Sequence, residues 1–408
     1  MRRFQAVALL VVVGSLCVGA ESGTSRERAR RSSLGFAPKD FVEYWSAARV
    51  EVRGGNPYDG AHLLPLQREA AGEPERTEAV MLWTPPWTLP LYVPFGLLDP
   101  RPAHEAWLWL QIACLLASAW LLWLVYGGPA GPGLRRLWVA APFAVLGTTA
   151  EARWLLEYGQ NVGFILVGLA GFLYLRQRGY LLAAGAVGAL TAIKPHLLAL
   201  FGLAILLDAT TRAGRRVLLG GAVMLVVLSL LALLPNSEVF RQFAAALTRP
   251  PSAEAQAVTE WQLPLLSYEL RWRIDPVNGK PFWSQFVPCA VACGLLVPYW
   301  WARRKTWDWS AETPRLVLVS ALVAPYGGWI FDLVVLLVPV TAVFARAARA
   351  GRAIPLLAAI AGHLVIFQYA AVVVYLHDPI WLTPAVILWY FAVMALLRNG
   401  TQSGQGSA

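Results

Sequence analysis

Long, uninterrupted apolar segments separated by short basic clusters dominate this chain. Of its 408 residues, 57% are hydrophobic and only 14% are charged, whereas about 25% are charged in a typical soluble domain. Lipid admits only helices and closed barrels, because every backbone polar group must be satisfied within the protein. The apolar runs are continuous rather than alternating, which favours helices. The sequence therefore predicts an all-α polytopic membrane protein.

The lengths of the apolar segments predict about 12 transmembrane helices, since one span needs about 20 apolar residues. The segments cover residues 4–20, 104–126, 137–152, 160–176, 180–193, 195–208, 217–234, 284–301, 314–325, 329–345, 353–375 and 380–397. They leave two long polar loops, at 21–84 and 235–283.

The basic clusters set the expected orientation of these helices. A net charge of +10 would suggest nucleic acid in a soluble protein, but here the charges lie between spans and indicate topology, with no nucleic-acid partner. The clusters assigned to the cytoplasmic side are Arg135-Arg136, Arg176 to Arg178, Arg212 to Arg216, Arg303 to Lys305 and Arg346 to Arg352. Both termini then lie inside and both long loops outside an inner (plasma) membrane; Arg26 to Arg31 is the cluster that disagrees.

Three segments need separate interpretation. Residues 85–99 are apolar but short and proline-rich, so we expect an element on the outer surface. Residues 180–208 are interrupted by Lys194-Pro195, and because proline disfavours helix at the preceding residue, we expect two short spans that meet near the outer face. Residues 1–20 resemble a signal peptide, although an uncleaved first span is preferred.

The expected organisation is one large membrane module followed by additional helices. Residues 1–345 form the module with its outer loops, 346–398 the C-terminal helices and 399–408 a disordered tail. The cysteines all lie in apolar segments. Cys289 and Cys293 would share a helix face, but we interpret them as core residues rather than a metal pair.

With this topology, ionisable and aromatic residues gather on the outer side. Ionisable groups at a bilayer are costly, so such a cluster indicates function. Its members are Asp40, Glu43, Asp59, Glu151, Arg153, Glu157, Gln160, Lys194, His196, Tyr326, Trp329, Asp332, His377 and Asp378.

A carboxylate in this cluster could act as general base on a hydroxyl. A lysine or arginine there could hold the phosphate of a lipid-linked donor and stabilise it as it leaves. Structural alternatives stay open: Asp40 could cap the following helix, Lys194 could extend to the membrane surface, and Asp332 could cap a helix or pair with a basic group.

Four stretches resemble glycosyltransferase family 87, whose members are similar to polyprenol-phosphate-mannose-dependent mannosyltransferases of the GT-C superfamily. They are Asp40 to Ala48 with Gly55-Asn56-Pro57-Tyr58-Asp59; Trp83-Thr84-Pro85-Pro86-Trp87; Gly159-Gln160-Asn161 with Ala192-Ile193-Lys194-Pro195; and Ala324 to Trp329 with Asp332. They occur in order between residues 38 and 345. His196 stands where the family pattern has an apolar residue or threonine.

The resemblance implies a GT-C-type bundle and an inverting sugar transfer. Asp40 would be the general base, and Lys194 would contact the donor phosphate. Topology adds Arg153 as a second phosphate contact. The candidate substrate-binding residues are Tyr44, Tyr58, Gln160, His196, Tyr326 and Asp332. The resemblance implies a polyprenyl-phosphate sugar as the donor, with mannose as the expected hexose. A glycolipid or glycan would be the acceptor, and membrane lipids would surround the protein. No cofactor and no obligatory metal are expected, since the outer loops carry no Asp-x-Asp motif.

Two other functions compete with the transferase. A transporter or lipid flippase would explain the interrupted segment at Lys194-Pro195, since broken helices mark transport sites. A non-catalytic assembly protein of an envelope-polymer pathway would share the fold but lack the active groups, whereas Asp40 and Lys194 are both present.

Overall fold

The computed structural model describes residues 40–129, 138–248, 264–274, 282–325, 328–373 and 379–402. Within these ranges all regular structure is helical. The α-helices are α1 (Phe41–Val52), α2 (Gly60–Ala71), α3 (Leu89–Gly96), α4 (Pro100–Val125), α5 (Ala141–Gly147), α6 (Ala150–Tyr158), α7 (Val162–Gln177), α8 (Leu181–Gly188), α9 (Ala199–Asp208), α10 (Arg212–Leu233), α11 (Val239–Leu247), α12 (Leu265–Ile274), α13 (Val287–Arg303), α14 (Trp309–Val323), α15 (Leu337–Ala350), α16 (Ala353–Val373) and α17 (Leu382–Gln402).

Several of these helices are long and apolar enough to cross a membrane. Within the described ranges, four qualify by length and composition, and a bent pair makes a fifth if it counts as one span. The four are Pro100–Val125, Arg212–Leu233, Trp283–Arg303 and Asp332–Ala350. Shorter apolar helices accompany them at Val162–Gln177, Ala353–Gln368 and Leu382–Arg398. The chain is therefore a helical membrane protein, and the count of 12 spans stays a prediction.

The segment interrupted by Lys194-Pro195 is broken, as the sequence predicts. Leu181–Ile193 and Pro195–Asp208 meet at an angle of 119°. Lys194 lies between them with φ −128° and ψ 77°, outside the helical region, because the following proline excludes helical backbone there. The break sets Lys194 between two helix ends instead of on a helix face.

The span predicted over 137–152 was wrong, because this stretch forms two short helices, α5 and α6. They are separated at Thr148-Thr149, and Thr149 has extended backbone (φ −93°, ψ 108°). The Thr148 and Thr149 hydroxyls donate to the carbonyls of Ala144 and Val145 at 2.8 Å each. These bonds compete with the helix ladder, which ends α5.

Helices α1 and α3 pack against each other. The apolar segment 85–99 forms a 3₁₀ turn, Pro86–Thr88, and the eight-residue α3, which is too short to span a membrane. Its location on the outer surface stays a prediction. Helix α1 packs tightly on α3: a Cβ on Gly96 would lie 2.8 Å from the Ala48 backbone. This pairing brings the Asp40 end of α1 against the bundle.

The C-terminal helices α16 and α17 pack on α15, and the domain boundary predicted at residue 345 falls within α15. Helix α17 runs to Gln402, four residues into the segment predicted as a disordered tail, because the Gly/Ser-rich composition begins only after that residue. The predicted first span and residues 21–39 of the first loop lie outside the described residues, as does most of the stretch 249–281.

Candidate active site

Asp40 stands at the start of α1 and faces Gln160. Its backbone N–H donates to the Tyr158 carbonyl at 3.0 Å, which ties the start of α1 to the end of α6. Its side chain makes no capping hydrogen bond to α1; instead the Gln160 amide Nε2 donates to Asp40 Oδ2 at 2.7 Å. The helix-cap alternative for this carboxylate is thereby replaced by a long-range contact.

Gln160 connects Asp40, the predicted general base, to Lys194, the predicted phosphate contact. Its Oε1 accepts from the Tyr44 hydroxyl at 2.8 Å and from Lys194 Nζ at 3.2 Å. Because two donors fix the carbonyl end of the amide, its NH₂ end must point to Asp40. Asp40 and Lys194, 154 positions apart in the sequence, thus lie one amide group from each other.

Lys194 also forms a buried ion pair with Asp332. The distance from Nζ to Asp332 Oδ1 is 2.8 Å, and the two side chains are 14% and 4% exposed. Asp332 Oδ2 accepts the backbone N–H of Trp329 at 3.1 Å, which fixes the carboxylate at the start of a 3₁₀ helix. Lys194 Nζ lies 5.4 Å from the centre of the Phe331 ring. The lysine is therefore held by protein groups on several sides.

A tight turn at Gly159 makes this geometry possible. Gly159 ends α6 with φ +70°, a conformation that only glycine adopts at no cost. A Cβ at this position would lie 2.7 Å from the Cβ of Phe41, so the close approach of α1 also requires glycine. The Trp107 indole donates to the Gly159 carbonyl at 2.8 Å. The turn directs Gln160, the next residue, towards Asp40.

A second group of buried hydroxyls connects the motifs behind the site. The Tyr58 hydroxyl donates to the Thr84 carbonyl at 3.0 Å, and Thr84 Oγ1 lies 2.9 Å from Thr88 Oγ1. The amide of Asn161 donates to the Tyr92 hydroxyl at 2.7 Å, and that hydroxyl lies 3.5 Å from Thr84 Oγ1. The Gly55–Asp59, Trp83–Trp87 and Gly159–Asn161 stretches therefore share one polar core.

Sequence reasoning did not identify Tyr92 or Trp107 as parts of this core, and it quoted Asn161 in a motif without giving it a role. Tyr44 packs against the rings of Tyr92 and Trp107 at 5.0 and 5.3 Å. The Trp87 indole donates to the Ala192 carbonyl at 3.1 Å, which connects the Trp83–Trp87 stretch to the helix break at Lys194. The sequence signal for these core residues was weak, since it consisted of polar residues within otherwise apolar stretches.

Burial controls the protonation of Glu43 and Tyr44, two titratable residues in the first turn of α1. Burial raises the pKa of Tyr44 well above its usual range, and the neighbouring Glu43 adds to the effect, so the hydroxyl stays a donor to Gln160. Burial and the adjacent Asp40 raise the pKa of Glu43 to about 8, although Lys194 opposes the shift. Glu43 therefore keeps its proton at a higher pH than an ordinary glutamate does.

The remaining predicted residues differ in their surroundings. Tyr44 and Tyr58 are each 1% exposed and hydrogen-bonded to protein atoms, so direct contact with a substrate stays a prediction. His196 is partly buried and lies close enough to Lys194 and Asp332 to feel both charges. Arg153 is on α6, where its guanidinium lies 6.0 Å from the ring of Trp154. Tyr326 lies outside the described residues.

Comparison with known proteins identifies the class of this arrangement. Residues 83–325, more than half of the chain, match the profile of Glycosyltransferase family 87. No curated protein matches the chain, and no solved structure does. The molecule is thus a membrane protein of the glycosyltransferase class. The chain belongs to glycosyltransferase family 87, and the matched region includes Gln160 and Lys194, whereas Asp40 and Asp332 join it through the contacts described above.

Proposed function

We propose that this protein is an inverting glycosyltransferase. It moves a hexose, which we propose to be mannose, from a polyprenyl-phosphate donor to a hydroxyl of a glycolipid or glycan. The observation that carries the proposal is the bridge through Gln160, which holds an acid and a cation at opposite ends of one amide. An inverting transfer needs that pair, because the base acts on one face of the sugar while the leaving group departs from the other.

In the proposed step, Asp40 accepts the proton of the acceptor hydroxyl. The hydroxyl oxygen attacks the anomeric carbon and forms the new glycosidic bond. The bond from that carbon to the phosphate oxygen breaks, and its electron pair leaves with polyprenyl phosphate. A β-linked donor gives an α-linked product.

Lys194 would stabilise the phosphate as negative charge develops on the leaving oxygen. In the structure its ammonium group is held by Asp332 at 2.8 Å, so the ion pair presets the position of the cation. Because Lys194 supplies the positive charge, the proposal requires no metal and no cofactor. Arg153 is proposed as a second phosphate contact, and His196 as a substrate contact beside Lys194.

The apolar surroundings of the site favour a lipid-linked donor. Lys194 lies at the break in the bent apolar pair Leu181–Ile193 and Pro195–Asp208, so a phosphate bound there could keep its polyprenyl chain in lipid. The basic clusters between spans favour the extracytoplasmic side of the inner (plasma) membrane as the location of the site. The partners are then the donor, a glycolipid or glycan acceptor and membrane lipids, without nucleic acid.

The test is sugar transfer by purified protein from radiolabelled polyprenyl-phosphate mannose to extracted membrane glycolipids. We expect transfer by the wild type and loss of at least about a hundredfold in Asp40→Asn, in line with removal of a general base. Asp59→Asn is the matched control, because Asp59 caps α2 through its side chain and asparagine caps equally well. Transfer by Asp40→Asn at the wild-type rate would contradict the assignment of the base.

A second candidate is a lipid flippase, favoured by the 119° bend at Lys194, because interrupted helices mark transport sites. Movement of a labelled polyprenyl-phosphate sugar across liposomes, without formation of any glycosidic bond, would select this function. Bond formation in the same vesicles would select the transferase.

A further inference from the structure

The candidate site contains more acidic side chains than basic ones. Lys194 hydrogen-bonds to Asp332 and, through Gln160, reaches Asp40. Glu43 lies one helical turn from Asp40, and its backbone N–H donates to the Asp40 carbonyl. With all three carboxyls ionised, the site would carry a net charge of −2 in a partly buried setting. An anionic phosphate would then enter against a repulsive field. A proton held within the site would remove one of these negative charges.

Glu43 has the position to hold that proton. It follows Asp40 by three residues in the first turn of α1, so both carboxyls lie on the same side of the helix, and its backbone N–H donates to the Asp40 carbonyl at 3.0 Å. The side chain is partly buried. Unlike Asp332, which forms an ion pair with Lys194 at 2.8 Å, Glu43 has Asp40 as its immediate acidic neighbour.

Several elements present charged or titratable groups to Glu43. The groups are Asp40 and Tyr44 on its own helix, Lys194 at the helix break, Asp332 on the 3₁₀ helix and Tyr92 on α3. The two acids and burial disfavour ionisation of Glu43, whereas Lys194 and the Tyr44 hydroxyl favour it. The balance brings its pKa to about 8, which leaves the carboxyl mostly protonated at neutral pH.

We propose that Glu43 is a positioning residue for donor binding, an inference that rests on the proposed function. The neutral form of Glu43 admits the anionic lipid-phosphate donor beside Lys194, and the ionised form repels that donor. Asp40 and Glu43 then divide the acid chemistry between them. Asp40 is the carboxylate that takes a proton from the acceptor, and Glu43 is the carboxylic acid that keeps its own. Donor binding is consequently lost in mildly alkaline conditions.

The first test is the pH dependence of donor affinity, measured by tryptophan fluorescence with a short-chain polyprenyl-phosphate mannose. This phosphodiester keeps a single negative charge across the range, so its own titration does not interfere. If only protein with neutral Glu43 binds, the apparent Kd of the wild type rises about tenfold between pH 7 and 9. Glu43→Gln, neutral at every pH, should bind at pH 7 like the wild type and show no rise. Glu69→Gln, on the exposed side of α2, should follow the wild type.

The outcomes separate this inference from the proposed function. A wild type that binds no polyprenyl-phosphate sugar at any pH would overturn the proposed function. A wild type that binds without an alkaline decline, a Glu43→Gln variant that keeps the decline, or one that cannot bind at pH 7 while still folded would overturn the role of Glu43 alone.

A second test does not depend on activity. Because the pKa of Glu43 is higher in the folded protein than its ordinary value of 4.5, the unfolded chain releases this proton first as the pH rises. The wild type therefore loses stability between about pH 4.5 and pH 8, and Glu43→Gln does not share that loss. The Tm of Glu43→Gln relative to the wild type should increase from pH 5 to pH 8. A constant difference would contradict a protonated Glu43.

Discussion

Gln160 is the residue on which the site depends most, since its one amide contacts both an acid and a cation. Gln160→Ala removes bonds to Asp40, Tyr44 and Lys194 and leaves buried polar groups without partners, so we expect a stability loss of about 1–3 kcal/mol. Transfer should fall more than stability explains, because Asp40 and Lys194 lose their common support. Thermal unfolding and initial rates measure the two effects.

Gln67 provides the matched control for that variant. It is also a buried glutamine with three hydrogen bonds, one to the Ser46 hydroxyl on α1 and two to the Val80 backbone. None of these bonds involves Asp40 or Lys194. Gln67→Ala should lose a similar amount of stability and keep the transfer rate of its folded fraction. Equal loss of transfer in both variants would mean that Gln160 acts only through stability.

The ion pair of Lys194 and Asp332 should show strong non-additivity. Lys194→Met leaves the Asp332 carboxylate buried without its cation, a change that costs about 3–5 kcal/mol. Adding Asp332→Asn removes the charge but keeps an acceptor for the Trp329 N–H, so the double variant should recover most of the stability. Both variants should lack transfer. The single Asp332→Asn variant completes the cycle, so urea or thermal unfolding of the four proteins gives the coupling, and simple additivity would contradict a buried pair.

At the scale of helices and turns, the left-handed turn after α6 sets the position of Asp40. Gly159 and Gly179 both follow a helix with positive φ, at +70° and +80°. A Cβ at 159 meets Phe41, whereas one at 179 meets nothing within 4 Å. Gly179→Ala should therefore cost only the conformational penalty, about 1–2 kcal/mol.

Gly159→Ala should cost more, because the added methyl also pushes α1 away from α6. We expect a lower Tm than for Gly179→Ala together with loss of transfer, since the displaced Asp40 no longer meets Gln160. Equal Tm values and equal activities in the two variants would show that the contact with Phe41 does not position the acid.

Local chemistry explains which elements the sequence predicted and which it did not. The break at Lys194 was predictable, because a proline restricts the residue before it whatever the surroundings. The break at Thr148-Thr149 was not, because threonine hydroxyls can either stay in a helix or compete with it. The bond from Asn161 to Tyr92 depends on how α3 packs, which no local pattern specifies.

At the scale of the whole molecule, one buried contact joins the two polar loops that the sequence separates. The amide of Asn236, just after α10, donates to Glu51 Oε2 on α1 at 3.2 Å and to the Gly55 carbonyl at 2.8 Å. Glu51 is fully buried, and its Oε1 has no hydrogen-bond partner in the part of the chain that the structure describes. The packing between these two loops thus includes a carboxyl with an incomplete set of partners among the described residues.

This junction should make stability depend on pH. Burial raises the pKa of Glu51 from 4.5 to about 7, although the bond from Asn236 opposes the shift. The unfolded chain therefore releases the proton first, and the wild type loses stability as the pH rises from about 4.5 to about 7. The Tm of Glu51→Gln relative to the wild type should increase from about pH 4.5 to about pH 7 and stay constant above that pH. A gain that is the same at pH 5 and pH 7 would contradict this behaviour.

The family profile begins at Trp83, so the sequence match alone does not reach Asp40. The contacts of Gln160 supply the missing connection, because they join a residue inside the matched region to an acid outside it. The sequence predicted both residues from their motifs, but only the packing of α1 on α6 shows that they meet.

The central claim is that Asp40, Gln160, Lys194 and Asp332 form one site for a lipid-phosphate sugar. Cryo-electron microscopy of the protein with a non-reactive polyprenyl-phosphonate mannose tests it most directly. The claim predicts that the phosphonate contacts Lys194 and that the anomeric carbon lies between Lys194 and Asp40. A phosphonate bound elsewhere, with the bond between Lys194 and Asp332 undisturbed and no sugar beside Asp40, would contradict it.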